Sequence, residues 1–292
     1  MSRPASIVGM GQVTLDVHAW HMPPYPLSAG GTVVNVLAWL VQSGWRAELL
    51  ARLGCDPAGD VVSEELADLG VNTQGIQRDA AVATAVTVQE YAGLEPRFSQ
   101  QCPHCGATLP DVADPALPER VPETPTVFFF DRDSSTALQL AAHYRAAGSL
   151  VVYEPNYAGP EVPLMACLAL TQVLRCSAAA VPGLAEAASE VPLVIETLGG
   201  QGLRWRERGQ AWQHVAVVRH EPIRDTAGCG DALTAALLQA RHEGAEWATA
   251  LERAVELAAR AAQHEGARGG MHRTPRRGGP AVFCATCRTA EN

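Results

Sequence analysis

Short apolar runs alternate with stretches of helical spacing along most of the chain. The apolar runs predict buried strands at residues 5–9, 47–53, 126–130, 150–153, 178–181 and 193–197. The segment AVATAVTVQEY (81–91) alternates as a half-exposed strand does, and residues 202–206 and 211–218 predict a hairpin. Helices are predicted at residues 32–42, 60–69, 136–147, 164–171, 231–243 and 246–265. This alternation predicts an α/β fold with a mainly parallel central sheet and helices on both faces.

Two segments depart from this pattern. Residues 93–125 contain seven prolines and the sequence CPHCG, which indicates a loop-rich insert. Residues 268–279, RGGMHRTPRRGG, are basic and rich in glycine, which indicates a solvated linker more than a nucleic-acid contact. We therefore predict one domain over residues 1–267, including the insert, and a tail over residues 268–292.

The segment DTAGCGDALTAALLQA (225–240) combines a glycine turn, an acid and an apolar helix. The turn is Gly228-Cys229-Gly230, and Asp231 follows it directly. Main-chain N–H groups and the positive end of a helix attract an anion such as phosphate. A carboxylate beside them can accept the proton of an attacking hydroxyl. The segment therefore predicts a phosphoryl-transfer site.

Composition narrows the chemistry further. The 292 residues include 22 basic residues, all of them arginine. The lack of lysine excludes a Walker A P-loop nucleoside triphosphatase, a protein kinase and a Schiff-base enzyme, because each of these classes needs a lysine amine. The net charge of −9 argues against nucleic acid as the main partner. No apolar run is long enough to span a membrane and the first residues lack a signal-peptide layout, so we expect a soluble, cytoplasmic protein.

Further glycine-rich turns follow the predicted strands. They are Gly9-Met10-Gly11 with Asp16, Gly30-Gly31 with Asn35, Gly54-Cys55-Asp56 with Gly59, and Thr197 to Gly202 (TLGGQG). Ligands of parallel α/β sheets bind at the carboxyl ends of the strands. We therefore expect these turns to lie at one site.

The order of these motifs, with Glu154-Pro155-Asn156 before the Thr197 turn, resembles the ribokinase-like (PfkB) family of sugar and nucleoside kinases over residues 5–266. The resemblance implies a three-layer ribokinase-like fold and ATP-dependent phosphorylation of a hydroxyl on a small-molecule sugar or nucleoside, with Mg²⁺ as cofactor. It implies that Asp231 is the catalytic base and that Gly228, Cys229 and Gly230 form the anion hole. It assigns substrate binding to Asp16, Gly30, Gly31 and Asn35. It assigns the nucleotide site to Thr197, Gly199, Gly202, Asp225, Thr226 and Glu186.

Three departures from the family pattern affect these expectations. The NxxE element has become Gly183-Leu184-Ala185-Glu186, which removes its asparagine and puts Mg²⁺ handling in question. The segment VHAWHMPPYPLSA (17–29) is short for a lid, so we expect a reduced lid with His18, Trp20, His21 and Tyr25 as candidate lining residues. A lid-mediated homodimer stays open for the same reason. An alternative is a catalytically weak or inactive member that serves as a binding or scaffold subunit.

Cys229 stands where the family often has alanine. A thiol at a helix N-terminus is expected to have a lowered pKa, which would make the protein sensitive to thiol reagents. The alternative is that this position simply accepts a small apolar side chain.

Eight cysteines include two CxxC pairs, Cys102 with Cys105 and Cys284 with Cys287. Two such pairs can supply the four thiolates of a tetrahedral structural zinc site. We therefore predict a shared Zn²⁺ that ties the tail to the insert. Separate metal sites and free thiols are the alternatives, and His104 is a spare ligand.

Overall fold

The computed structural model describes residues 4–19, 22–92, 95–157, 164–218, 220–269, 271 and 276–290. The side chains of residues 91, 92, 95, 96, 156 and 157 also lie outside the description. The strands of the described residues are, in chain order, β1 (Ser6–Met10), β2 (Thr14–His18), β3 (Tyr25–Gly30), β4 (Arg46–Gly54), β5 (Ile76–Asp79), β6 (Val86–Ala92), β7 (Glu95–Ser99), β8 (Val127–Arg132), β9 (Leu150–Tyr157), β10 (Val173–Ser177), β11 (Leu193–Thr197), β12 (Leu203–Glu207), β13 (Gln213–Val215) and β14 (Arg276–Gly278).

Helices connect most of these strands. They are α1 (Thr32–Gln42), α2 (Pro57–Asp68), α3 (Ser135–Ala146), α4 (Leu164–Leu170), α5 (Leu184–Ala187), α6 (Cys229–His242), α7 (Trp247–Ala261), α8 (Pro280–Phe283) and α9 (Ala285–Ala290). Local sequence sets several of their starts. The Asp56 side chain accepts a hydrogen bond from the Gly59 N–H at 2.8 Å, and Pro57 occupies the first turn of α2. The Ser134 hydroxyl oxygen caps α3 in the same way.

The central sheet has the strand order β13-β12-β11-β10-β9-β8-β1-β4-β5 among the described residues. Its strands run parallel except at the β12–β13 edge, which forms an antiparallel hairpin. Apolar side chains of α1, α6 and α7 pack on one face of the sheet. Those of α3, α4 and α5 pack on the other face. The prediction of a three-layer α/β fold is therefore confirmed.

A second sheet covers one end of this layer structure and has the strand order β14-β3-β2-β6-β7 within the described residues. We call it the lid sheet. The expectation of a reduced lid was wrong, because strands from distant segments complete the lid. The insert supplies β7, and the tail supplies β14, which pairs antiparallel with β3. Neither segment shows the apolar alternation by which a strand is recognised in sequence.

Most predicted elements are confirmed, and α1 has the predicted bounds. The strand predicted at residues 178–181 was wrong, because the structure places strand β10 at Val173–Ser177. Arg175 interrupts the apolar run there, although its side chain is buried. No helix in the described part of the chain is long and apolar enough to cross a lipid bilayer.

Candidate active site

Asp231 lies in the first turn of α6, where the two sheets meet at a cleft of about 610 Å³. Gly228 precedes the helix in the left-handed conformation, with φ of 69°. A β-carbon at Gly228 would lie 2.0 Å from the carbonyl oxygen of Ala267, so conformation and packing both require glycine. The Cys229 N–H donates to the Thr226 carbonyl oxygen at 3.4 Å, which tightens the turn. Asp231 thus stands beside the positive end of a 14-residue helix.

Asn35 holds the Asp231 carboxylate in place. Its Nδ2 donates to Oδ2 of Asp231 at 2.7 Å, within the buried part of the site. Burial raises the pKa of Asp231 to about 6, and the opposing charge of Arg175 is the largest influence that lowers it. A carboxylate with this pKa is ionised at neutral pH and can accept a proton.

Asp16 lines the same cleft from the lid sheet. Its Oδ1 accepts a hydrogen bond from the Thr14 hydroxyl at 2.7 Å. A β-carbon at Gly30 would lie 2.1 Å from this carboxylate, and one at Gly31 would lie 1.9 Å from the Gln12 carbonyl oxygen. Gly30 therefore lets strand β3 approach the acid closely, and Gly31 lets the start of α1 approach the loop after β1. Burial raises the pKa of Asp16 to about 6.

Arg268 was predicted to lie in a solvated linker, and the structure places it in the site instead. Its Nη1 donates to the carbonyl oxygen of Ala29 at 2.7 Å and to Oδ1 of Asn35 at 3.1 Å. Its Nη2 forms an ion pair with Glu65 of α2. The side chains of Arg268 and Glu65 are each only 14% exposed. The linker prediction was therefore wrong for this residue, because buried acceptors surround its guanidinium.

Asp131 is a second residue that sequence reasoning missed. The register between β8 and β9 shifts between Phe130 and Arg132, which re-aims the side chain between them. Asp131 accepts hydrogen bonds from the main-chain N–H groups of Gln12 at 2.8 Å and Val33 at 3.1 Å. Burial raises its pKa to about 7. Asp131 therefore fixes the loop after β1 against the start of α1. The sequence signal is an acid directly after the apolar strand.

Arg175 and Glu154 form a buried ion pair beneath the glycine turn. Glu154 also accepts a hydrogen bond from the Thr234 hydroxyl at 2.7 Å. Nη2 of Arg175 lies 1.5 Å from the place of a β-carbon on Gly230, so this glycine leaves space for the guanidinium. Burial raises the pKa of Glu154 and the charge of Arg175 opposes that rise. The pair holds the Arg175 guanidinium directly behind Gly230 of the glycine turn. The Asn156 side chain lies outside the described residues.

The four cysteines of the two CxxC pairs come together although they lie far apart in the sequence. Their sulfur atoms all lie within 4.8 Å of one another. Sγ of Cys102 is 3.8 Å from Sγ of Cys287, and Sγ of Cys105 is 3.6 Å from Sγ of Cys284. These separations are too long for disulfides, whose sulfur atoms are ~2.05 Å apart.

A model of the pfkB family of carbohydrate kinases matches residues 19–274 of the chain. The chain belongs to this family. An uncharacterized sugar kinase of Pyrococcus horikoshii is 26% identical over 224 residues, which is 72% of each chain. Its crystal structure in complex with ATP superposes with a TM-score of 0.72 and 23% identity, covering 92% of this chain and 95% of that one.

Two further PfkB-like structures share the fold. Ribokinase of Arabidopsis thaliana, complexed with ribose and ATP, has a TM-score of 0.73 and 19% identity, covering 91% of this chain and 95% of its own. Fructokinase of Xylella fastidiosa with bound ATP has a TM-score of 0.72 and 21% identity, covering 90% and 94% respectively. At these identities the likeness establishes the fold.

The residues assigned to the nucleotide site of this PfkB chain fall into two groups. Thr197 ends β11 and its hydroxyl donates to the Cys176 carbonyl oxygen at 3.3 Å. Gly199 and Gly202 form the turn that follows, with φ of 58° and 97°. Asp225 and Thr226, just before the glycine turn, form the second group. The Asp225 carboxylate holds the main chain there, because it accepts hydrogen bonds from the N–H groups of Ala227 and Gly266, both at 2.8 Å.

The remaining predicted site residues are not among the described residues that line the cleft with Asp231 and Asn35. Glu186 lies on α5, where it pairs with Arg204 and its side chain is 55% exposed. Thr226 is exposed and lies two residues before the glycine turn. Trp20 and His21 lie outside the described residues, His18 is hydrogen-bonded with Ser28, and Tyr25 packs edge-on against Phe283.

The expected lowering of the Cys229 pKa was wrong. Burial raises the pKa of this thiol to about 12, and the negative charges of Asp225 and Asp231 add to the rise. Loss of hydration and two nearby acids therefore outweigh the helix terminus.

Proposed function

We propose that the protein transfers the terminal phosphoryl group of ATP to a hydroxyl of a sugar or nucleoside. The observation that carries this proposal is the position of Asp231, which faces the cleft beside the glycine turn and is hydrogen-bonded to Asn35. The ATP present in the structures of PfkB relatives supports the choice of donor.

In the proposed reaction, Asp231 accepts the proton of the substrate hydroxyl as its oxygen attacks the terminal phosphorus. The bond from that phosphorus to the bridging oxygen breaks, and ADP leaves with the electron pair. The N-terminal end of α6 stabilises charge on the transferring group. Arg175 lies behind Gly230 and adds positive charge to the same place without a lysine.

Polar side chains support a hydroxyl-rich substrate. The cleft lining includes Thr14, Asp16, Thr87 and Gln89, with Phe98 as the aromatic side chain among the described lining residues. A buried polar group without a partner costs ~1–3 kcal/mol, so a substrate with several hydroxyls fits this lining better than an apolar one. Sugars and the ribose of nucleosides both meet this requirement.

We include Mg²⁺ in the proposal as the partner of the nucleotide phosphates. Across the part of the chain that the structure describes, no three carboxylates come close enough together to hold a cation. Mg²⁺ binds through one or two carboxylates together with substrate phosphates, so ATP would supply much of its coordination. Bound to the phosphates of ATP, Mg²⁺ would neutralise part of their charge.

We further propose that Cys102, Cys105, Cys284 and Cys287 hold a structural Zn²⁺. A tetrahedral site with Zn–S bonds of ~2.3 Å has sulfur–sulfur edges of about 3.8 Å. The separations of 3.8 and 3.6 Å match these edges. Zinc content of the purified protein tests the site: one equivalent is expected, and none would contradict it.

A phosphotransfer assay with ATP and a panel of sugars and nucleosides tests the proposed reaction. Asp231→Asn should lower kcat at least about 100-fold, because the base is lost while the shape is kept. Asp60→Asn is the control, since Asp60 is an exposed partner of Arg78. Activity that persists in Asp231→Asn would contradict the assignment. If a compound of the panel raises the melting temperature of the protein but is not phosphorylated, the alternative function as a binding or scaffold subunit is favoured.

A further inference from the structure

The C-terminal tail reaches the substrate cleft through one arginine. Arg268 bonds to the carbonyl oxygen of Ala29 on β3 and to Oδ1 of Asn35 on α1. Glu65 completes its surroundings, and the Oε2 atom of this acid accepts a hydrogen bond from the Ala29 N–H at 2.8 Å. Arg268 therefore joins the tail to the lid sheet, α1 and α2 at one point.

This contact determines which way the Asn35 amide faces. An asparagine side chain has an oxygen that only accepts and a nitrogen that only donates. Because Arg268 donates to Oδ1, the nitrogen is left to face Oδ2 of Asp231. A reversed amide would set an oxygen against the Asp231 carboxylate and the NH₂ against the guanidinium. Arg268 thus acts on Asp231 through Asn35, as a positioning residue.

The tail after Arg268 is fastened to the lid sheet at two further places. Strand β14 pairs with β3, with Arg276 opposite Leu27 and Gly278 opposite Tyr25. Phe283 then packs edge-on against Tyr25, with ring centroids 6.0 Å apart. Strand β3 is the strand whose Ala29 carbonyl receives Arg268 and whose Gly30 faces Asp16.

The cysteine cluster closes this arrangement. Cys284 and Cys287 flank the start of α9 in the tail, and Cys102 and Cys105 follow β7 in the insert. Helices α8 and α9 contain four and six residues, too few to hold a fold by themselves. A metal bond across the cluster is the strongest link available to keep them against the lid sheet.

We propose that Zn²⁺ at the four cysteines holds the tail against the lid sheet and thereby keeps Arg268 on Asn35, so that metal occupancy governs the order of the substrate site. This inference rests on the proposed zinc site and, in its activity arm only, on the proposed phosphotransfer.

Hydrogen–deuterium exchange tests the structural arm without any substrate. The 292-residue chain is measured twice, once with one equivalent of Zn²⁺ and once after chelation of the metal. Chelation should speed exchange at least about tenfold in β3 and in the first turn of α1, while α3 on the opposite face stays unchanged. Equal exchange of β3 and α1 in the two samples would overturn the proposal, and so would a protein that binds no Zn²⁺.

Cysteine variants separate metal loss from side effects of the chelator. Cys287→Ser with Zn²⁺ should reproduce the exchange of the chelated protein. Cys55→Ser is the matched control, because Cys55 is exposed and lies outside the cluster. A Cys287→Ser protein that keeps wild-type exchange in β3 would contradict a role for the metal.

Arginine variants test the positioning role in the zinc-loaded protein. Arg268→Met should lower kcat/KM at least about tenfold and move its acid limb to higher pH, because Asp231 loses both an aligned donor and a nearby positive charge. Arg268→Lys should recover only part of this loss, since an ammonium cannot reproduce the guanidinium fork. Arg260→Met is the control, because Arg260 pairs at the surface with Glu256 on α7, outside the tail.

The arms fail separately. If no panel compound is phosphorylated, the proposed function is in error and the exchange experiment still decides the role of the metal. If Arg268→Met leaves both kcat/KM and its pH profile unchanged in an active enzyme, the positioning role is wrong.

Discussion

The guanidinium of Arg175 occupies the space that a side chain on Gly230 would need. Nη2 of Arg175 lies 1.5 Å from the place of the missing β-carbon, far inside any van der Waals contact. Glu154 holds the other side of the guanidinium in a buried ion pair. Position 230, beside the proposed base, therefore needs glycine because the Arg175 guanidinium fills the space of a side chain, and not because the backbone turns there.

Gly230→Ala should displace the Arg175 guanidinium from Glu154 or shift the start of α6, because the new β-carbon would overlap Nη2 of Arg175. We expect kcat/KM to fall at least about tenfold and stability to fall by ~1–3 kcal/mol, as in other overpacked interiors. Gly279→Ala is the control, since nothing lies within 4 Å of its β-carbon position. Wild-type activity in Gly230→Ala would show that the close approach is unimportant.

Arg175→Met should move the acid limb of kcat/KM to higher pH. In the wild-type protein the pKa of Asp231 is about 6, so kcat/KM should fall below this pH as the base becomes protonated. Removal of a positive charge favours the protonated acid, which raises the pKa and shifts the limb upward.

Two further variants complete this experiment: a control at another arginine, and a double variant that avoids destabilising the protein. Arg253→Met removes an arginine that pairs at the surface with Glu243, at the end of α6 opposite to Asp231, and should leave the limb in place. The double variant Arg175→Met with Glu154→Gln avoids an unpaired buried acid. A limb that stays near pH 6 in both Arg175 variants would contradict the electrostatic role.

Gly228→Ala should destabilise the protein more than the equivalent change elsewhere. The new side chain would need a left-handed backbone and would meet the Ala267 carbonyl oxygen at 2.0 Å. Gly148→Ala is the matched control, because Gly148 has φ of 92° but open space around it. The control should cost ~1 kcal/mol for conformation alone, and chemical denaturation of both variants measures the difference. Equal losses would show that the Ala267 contact yields easily.

Cys229 should resist alkylation at neutral pH, because its pKa of about 12 leaves almost no thiolate. In the zinc-loaded protein, iodoacetamide followed by peptide mass mapping should find Cys55 labelled first, since Cys55 is exposed and lies outside the cysteine cluster. Cys229→Ala should leave the sensitivity of activity to the reagent unchanged. Modification of Cys229 as fast as Cys55 would contradict the effect of burial.

The fold and the position of Asp231 could be predicted because their signals are local. An apolar face marks α1, and the order of acid, glycines and helix marks the start of α6. Arg175 was missed because a charged residue within an apolar run predicts the end of a strand. Its buried partner, Glu154, lies 21 positions away.

The lid and Arg268 were missed for a related reason. Strand β14 has three residues and two of them are arginines, so no apolar pattern reveals it. The contact between Arg268 and Asn35 joins residues 233 positions apart. A pairing that depends on the whole fold leaves no trace in local composition.

The same separation has a consequence for the refolding protein. A chain must lose the entropy of a very large loop before Arg268 and Asn35 can meet, whereas the helices form from near neighbours. We expect the helical circular dichroism signal to recover first after dilution from denaturant. The ability to bind a substrate would return later, after the contact between Arg268 and Asn35 has formed.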